Sequence, residues 1–146
     1  MGKWVWFDMD GTIANLYGVE NWLNKLINED ASPYAEARPL VNMAIFARKL
    51  AAIQRRGYNI GIISWLSKAS TIDYNCKVTA AKIEWLTKHL PSIQWDAVQI
   101  VEYGKNKWEI CREGILFDDE DKNRDTWGGE AFTPNQIMEI LSSIIA

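Results

Sequence analysis

The sequence predicts an α/β fold in which a parallel sheet lies between helical layers. Three observations carry the prediction. Four short apolar runs, Trp4–Phe7, Tyr58–Ile63, Ala97–Val101 and Ile115–Phe117, each end near a polar residue or a glycine, as strands buried on both faces do. Helical patterns separate these runs, and a strand–helix–strand order makes the strands parallel with right-handed crossovers. One stretch, Ile13–Arg38, is left over once each crossover has its helix.

The elements follow in order. After Trp4–Phe7 and the leftover stretch, Leu40, Met43, Ala44, Ala47, Leu50 and Ala51 follow the i, i+3, i+4, i+7 rhythm of one buried stripe. Arg48, Lys49, Arg55 and Arg56 fall elsewhere on that helix, and Gly57 closes it. A second helix is expected over roughly Asn75–Leu90, with Pro91 just past its end and His89 capping its last turn. A short helix follows Gly104. Thr133-Pro134-Asn135-Gln136 reads as a capping box with proline at the first helical position. The helix it opens has Ile137, Ile140, Leu141, Ile144 and Ile145 on its apolar face. The whole is a Rossmann-like three-layer α/β/α arrangement around a central parallel sheet, read as a single domain over 1–146. Residues 13–38 form a small helical insert, with a helix around Val19–Glu29 and a break at Ser32-Pro33. Because the insert leaves from the end of the first strand, it should sit over the C-terminal edge of the sheet, where open α/β sheets bind ligands.

Composition excludes several classes. The chain has 146 residues, 48% apolar and 24% charged, which is ordinary for a globular domain with a sizeable core. Sixteen basic against nineteen acidic side chains, a formal charge of −3, disfavour general nucleic-acid binding, which needs a basic face. No apolar run reaches the ~20 residues that span a bilayer, and the apolar stretch before Asp8 is too short for a signal peptide. Cys76 and Cys111 have neither metal-ligand spacing nor the makings of a disulfide framework. The chain reads as cytoplasmic.

The chemistry gathers at the strand ends. The first strand runs into Asp8-Met9-Asp10-Gly11-Thr12. Carboxylates at i and i+2 project to the same side and repel, so a divalent cation is their natural counter-ion. Gly11 lets the backbone turn sharply, and the amides after it can face an anion. Taken alone, the segment is also an ordinary Asp-Gly turn. The second strand runs into Ser64, a hydroxyl placed to donate to a phosphate oxygen. The third leads into Tyr103-Gly104-Lys105-Asn106-Lys107, which brings an ammonium to the same edge. The fourth ends in Asp118-Asp119, with Asn123 shortly after. In this topology the four strand ends converge on one crevice. Carboxylates for Mg²⁺ and for attack on phosphorus, with a hydroxyl and a cation for phosphate oxygens, are the parts of a phosphoryl-transfer site.

The order DMDGT, a strand into Ser64, a lysine, then FDDEDKN resembles the four motifs of haloacid-dehalogenase superfamily phosphatases, and within them the small 5′-nucleotidase-like and phage-type members. The resemblance covers essentially the whole chain. It implies that Asp8 is the nucleophile forming an aspartyl-phosphate and Asp10 the general acid and base. It implies that Gly11, Thr12, Ser64 and Lys107 line the phosphate site. Mg²⁺ would be held by Asp8, the Asp10 backbone carbonyl and Asp118, with Asp119 in support. Lys105 stays an alternative to Lys107; the Tyr-Gly-x-x-Lys spacing favours Lys107.

The insert then acts as a cap that decides the substrate, a small phosphomonoester. Tyr17, Trp22, Tyr34 and Trp65 lie in or beside the crevice, and a nucleobase stacked on Trp22 or Trp65 makes a nucleoside monophosphate the favoured substrate. Packing is the competing explanation for each ring. A cap this small leaves the crevice partly open, so contacts within a homo-oligomer are one way to close it. Of the eight tryptophans, Trp4, Trp6, Trp85 and Trp108 read as packing, and Trp95 and Trp127 are unassigned. Two other classes compete: a receiver-like phospho-accepting switch, whose lysine belongs on the last strand and whose acceptor carboxylate is mid-chain, and a non-catalytic binding protein that kept the fold.

Overall fold

A computed structural model describes residues 3–146. In chain order the elements are β1 (Trp4–Phe7), β2 (Ala14–Asn15), a 3₁₀ turn (Leu16–Gly18), α1 (Trp22–Ile27), α2 (Ser32–Glu36), β3 (Arg38–Pro39), α3 (Met43–Arg55), β4 (Asn59–Trp65), α4 (Ile72–His89), β5 (Ala97–Val101), α5 (Lys107–Cys111), β6 (Ile115–Phe117), α6 (Asp121–Asp125), β7 (Ala131–Phe132), a second 3₁₀ turn (Pro134–Gln136) and α7 (Ile137–Ile145).

Five strands form one parallel sheet in the order β5-β4-β1-β6-β7. The expected Rossmann-like α/β fold is the one observed. Numbered by their place in the chain, these strands run 3-2-1-4-5. That is the Rossmann order and not the 2-1-3-4-5 of receiver domains, so the receiver alternative falls. The chain winds outward from β1 through β4 to β5, then returns to β1's other side for β6 and β7. The reversal point, where such sheets bind ligands, is therefore the C-terminal end of β1.

The two faces of the sheet carry separate cores. Alternation along β1 sends Val5 and Phe7 to one face, where they meet Ile60 and Ile62 of β4, Phe46, Leu50 and Ile53 of α3, Trp85 of α4 and Leu141 of α7. Trp4 and Trp6 take the other face and stack on each other with centroids 4.6 Å apart, beside Ile63, Leu116, Trp108 and Trp127. Trp6 lies opposite Gly61 on β4, and its ring occupies the space a Cβ there would need. That close approach is why this central strand carries a glycine.

Several boundaries differ from those expected. Strand β4 runs two residues further, so Ser64 lies inside it rather than past its end. Helix α4 starts at Ile72, where the Thr71 hydroxyl accepts the Tyr74 amide at 3.2 Å. His89, expected to cap that helix, packs its ring on Trp85 instead, with centroids 4.6 Å apart. The buried stripe of α3 is Phe46, Leu50 and Ile53, which leaves Leu40 and Ala44 exposed. The bulkier residues decide the rotation, because they bury more apolar area. Strand β7 spans two residues between a Gly-Gly pair and the Thr133 cap and shows no apolar run. Trp95, at 6.3 Å from Phe7, and Trp127, T-stacked on Trp108 at 5.0 Å, are packing residues.

The insert begins and ends in a small hairpin: β2 and β3 pair antiparallel, Ala14 opposite Pro39 and Asn15 opposite Arg38. Between them, Leu16 and Tyr34 pack on Tyr74, Val78 and Ala81 of α4, with Trp22 and Leu26 against the same cluster. The Tyr74 hydroxyl donates to the Asp30 carbonyl at 2.9 Å. Ser32-Pro33 starts the helix α2 instead of merely breaking one, since proline suits a first turn.

Candidate active site

The end of β1 places the central carboxylate. The Asp8 amide extends the ladder to the Phe117 carbonyl at 3.0 Å, and the Asp118 amide does the same to Phe132 at 3.1 Å, so both acids leave adjacent strands at one level. Gly11 follows at φ +80°, and a Cβ on it would overlap the Asp119 carboxylate and the Tyr17 ring. Only glycine allows both the left-handed turn and this approach.

Asp8, Asp118 and Asp119 each offer an oxygen, and the three lie within 4.8 Å of one another. Lys107 sits among them, its ammonium 3.0 Å from Asp8 Oδ1 and 2.7 Å from Asp118 Oδ2. Thr12 Oγ1 lies 3.1 Å from Asp8 Oδ2 and 3.3 Å from Asp119 Oδ1, and it accepts the Asp119 amide at 3.2 Å. Asn123, on α6, donates to Asp118 Oδ2 at 3.1 Å. Asp10 belongs to a second group. Its Oδ2 meets the Lys82 ammonium at 2.9 Å, and Lys82 also donates to Ser64 Oγ at 2.7 Å and to the Trp65 carbonyl at 2.6 Å.

Four carboxylates against two ammonium groups leave an excess of negative charge in a largely buried place. The acids respond accordingly. Burial, reinforced by the Asp8 charge, pushes Asp118 up to about 6 and Asp119 up to about 8. Burial also raises Asp10, against the pull of Lys82. For Lys107, burial works to lower the pKa, but Asp8 and Asp118 outweigh it and hold the ammonium above its usual range. A divalent cation fits the trio: the donors are all carboxylate oxygens, the hard ligands Mg²⁺ prefers, and its charge offsets the excess.

The predicted residues fare differently. Asp8, Asp10, Thr12, Ser64, Lys107, Asp118 and Asp119 converge as the topology required. Lys107 is buried at the carboxylates, whereas Lys105 is exposed and contributes only its carbonyl, which accepts from the Trp65 indole at 2.9 Å. The Thr12 and Ile13 amides, expected to face an anion, both bond instead to the Met9 carbonyl at 3.0 Å, and the Gly11 amide bonds to the Ala14 carbonyl at 2.8 Å. Tight turn closure competes for the same N–H groups. Ser64 is fully buried under Lys82. Sequence reasoning missed Lys82. The available signal was its place on the apolar stripe of α4, four residues after Val78 and three before Trp85.

A cavity of about 450 Å³ opens above these groups, with Asp8, Asp10, Lys107 and Asp119 in its lining. Tyr17, Trp22, Tyr34 and Trp65 all line it, together with apolar side chains of the insert. Two aromatic pairs belong to the lining: Tyr17 with Trp22, centroids 4.9 Å apart, and Trp65 with Tyr103, also 4.9 Å. Among the described residues no helix is long and apolar enough to cross a membrane.

No family model and no curated protein matches the sequence. Among solved structures, the chain resembles D,D-heptose 1,7-bisphosphate phosphatase from Burkholderia thailandensis, with a TM-score of 0.50 at 12% identity, over 96% of this chain and 99% of that one. The two share a fold. At that identity the likeness concerns architecture, and function must be argued from the site.

Proposed function

We propose that the protein is a Mg²⁺-dependent phosphohydrolase of the haloacid-dehalogenase type, acting on a phosphomonoester, with a nucleoside monophosphate favoured. The observation that carries this reading is the division of the acidic groups. Asp8, Asp118 and Asp119 cluster around Lys107, while Asp10, two residues from Asp8, is drawn away from them to Lys82. Phosphoryl transfer through an acyl phosphate needs that separation between a nucleophile and an acid–base group. The phosphatase that shares the fold adds weight.

Asp8 attacks phosphorus, forming the aspartyl-phosphate as the ester P–O bond breaks. Asp10 gives its proton to the leaving oxygen, then takes one from the water that attacks the aspartyl-phosphate. Inorganic phosphate leaves, Asp8 returns as a carboxylate and Asp10 as a carboxylic acid. Mg²⁺, held by Asp8, Asp118 and Asp119 with the Asp10 carbonyl, would neutralise charge on the transferring group. Lys107 orients the Asp8 carboxylate and offsets its charge; Thr12 braces Asp8 against Asp119. The aromatic pairs lining the cavity suit a planar base, which favours nucleotides over sugar phosphates. The insert acts as the cap that holds Tyr17, Trp22 and Tyr34 over the crevice.

The test is phosphate release from nucleoside monophosphates, sugar phosphates and p-nitrophenyl phosphate, in Mg²⁺ and in EDTA. Turnover is expected with Mg²⁺ and is abolished in Asp8→Asn. Wild type no more active than Asp8→Asn on every substrate would sink the reading and leave a non-catalytic binding protein. Beryllium fluoride trapped on Asp8 would separate a nucleophile from a metal ligand.

A further inference from the structure

Among the described residues, Lys82 is the buried charged side chain to which the chemistry above assigns no step of its own. It lies on the packed face of α4 and is 1% exposed. An ammonium there must place all three hydrogens on acceptors. It does: Asp10 Oδ2 at 2.9 Å, Ser64 Oγ at 2.7 Å and the Trp65 carbonyl at 2.6 Å. The Tyr34 ring, with its centroid 5.0 Å from Nζ, closes another side.

This arrangement does more than neutralise a charge. A point charge on a flexible stem is held by three acceptors from two strand ends, so it in turn fixes their geometry. Asp10 lines the cavity, and with Oδ2 tied to Lys82 its other oxygen is left for proton transfer. The tie also keeps the Asp10 carboxylate out of the Asp8–Asp118–Asp119 cluster. Because an ammonium only donates, Ser64 Oγ must accept from it, which frees the serine hydrogen for a different acceptor.

We propose that Lys82 is a positioning residue that orients Asp10 for proton transfer to the leaving oxygen. The inference rests on the phosphohydrolase reading, and the two can fail separately. A basic leaving oxygen such as an alkoxide needs the proton, whereas p-nitrophenolate leaves without one. kcat/KM covers only the steps through cleavage of the ester bond, so it isolates this role. In Lys82→Met, kcat/KM for an alkyl phosphomonoester should fall at least about tenfold further than kcat/KM for p-nitrophenyl phosphate, a part of the roughly 10²–10⁴-fold that a well-placed general acid contributes. In an Asp10→Asn background, the same lysine replacement should leave that ratio unchanged.

Equal losses on both substrates would overturn the inference and leave Lys82 a structural ion pair. So would a tenfold selective loss that persists in Asp10→Asn. If Lys82→Met does not melt cooperatively, Lys82→Gln is read by the same ratio. Wild type silent on both substrates removes the phosphohydrolase reading, and this inference with it. Wild type active with an unselective Lys82 variant removes this inference alone.

Discussion

Lys107→Met tests the charge balance of the site directly. The ammonium is 2% exposed and stands 3.0 Å from Asp8 and 2.7 Å from Asp118. At an effective dielectric of about 20, each contact is worth about 6 kcal/mol of gross attraction. Much of that offsets desolvation of the three charges. Removing the cation leaves the Asp8 and Asp118 carboxylates facing each other unpaired, and breaking a buried pair from one side costs about 3–5 kcal/mol. The total stability of a domain is about 5–15 kcal/mol. A loss of this size should lower the melting temperature by roughly 10–15 °C for a chain of this length. The assay is thermal and urea unfolding in EDTA at pH 7.5, beside Lys105→Met, whose exposed side chain should shift stability by about 0.5 kcal/mol or less. The penalty should shrink at pH 5, because Asp118, already pushed up to about 6, then takes a proton instead of keeping an unpaired charge. A Lys107→Met protein within about 1 kcal/mol of wild type at pH 7.5, against the expected 3–5, would refute the reasoning.

Three further outcomes follow from the same geometry. Asp118 at about 6 and Asp119 at about 8 lie above their unfolded values. Their contribution to stability is thus complete below the ordinary carboxylate range and lost as pH rises through 6 and 8. Mg²⁺ needs both acids ionised, so the melting-temperature gain from Mg²⁺ over EDTA should grow from pH 5.5 to 8.5, and a constant gain would contradict the site. Trp22→Ala and Trp65→Ala should each raise KM for nucleoside monophosphates by roughly five- to a hundredfold, since stacking on a base is worth about 1–3 kcal/mol. KM for a small alkyl phosphate should barely move. Gly61→Ala should destabilise by about 1–3 kcal/mol in urea, because the added methyl meets the Trp6 ring, and kcat should be unchanged in the folded fraction.

The strands that build the site could be read in the chain because each is an apolar run long enough to span the buried sheet and ends in a residue apolar packing cannot explain. Asp8 and Asp118 are read that way, whereas the choice of Lys107 over Lys105 rests on the spacing of the resembled motif. The strands that escaped notice, β2, β3 and β7, have two residues each. At that length no alternation exists, and only a neighbour's hydrogen bonds make a strand. Along α3 many positions are apolar: Leu50 is buried as expected, with Met43 and Ala47 packed beside it, and the choice between Ala44 and Phe46 depends on what the sheet presents to the helix.

Topology and chemistry were therefore written locally: strand–helix alternation forces parallel pairing, and an acidic pair at a strand end must face the crevice. Tertiary structure alone decided how the charges are shared. Lys82 is 72 positions from Asp10, on a helix whose pattern reads as packing, and it becomes a partner of Asp10 only because α4 crosses the ends of β1 and β4. The turn amides of Gly11 and Thr12 were likewise claimed by their own backbone. A side chain's type is local, but whether it meets a charge, a carbonyl or solvent depends on which distant element packs against it.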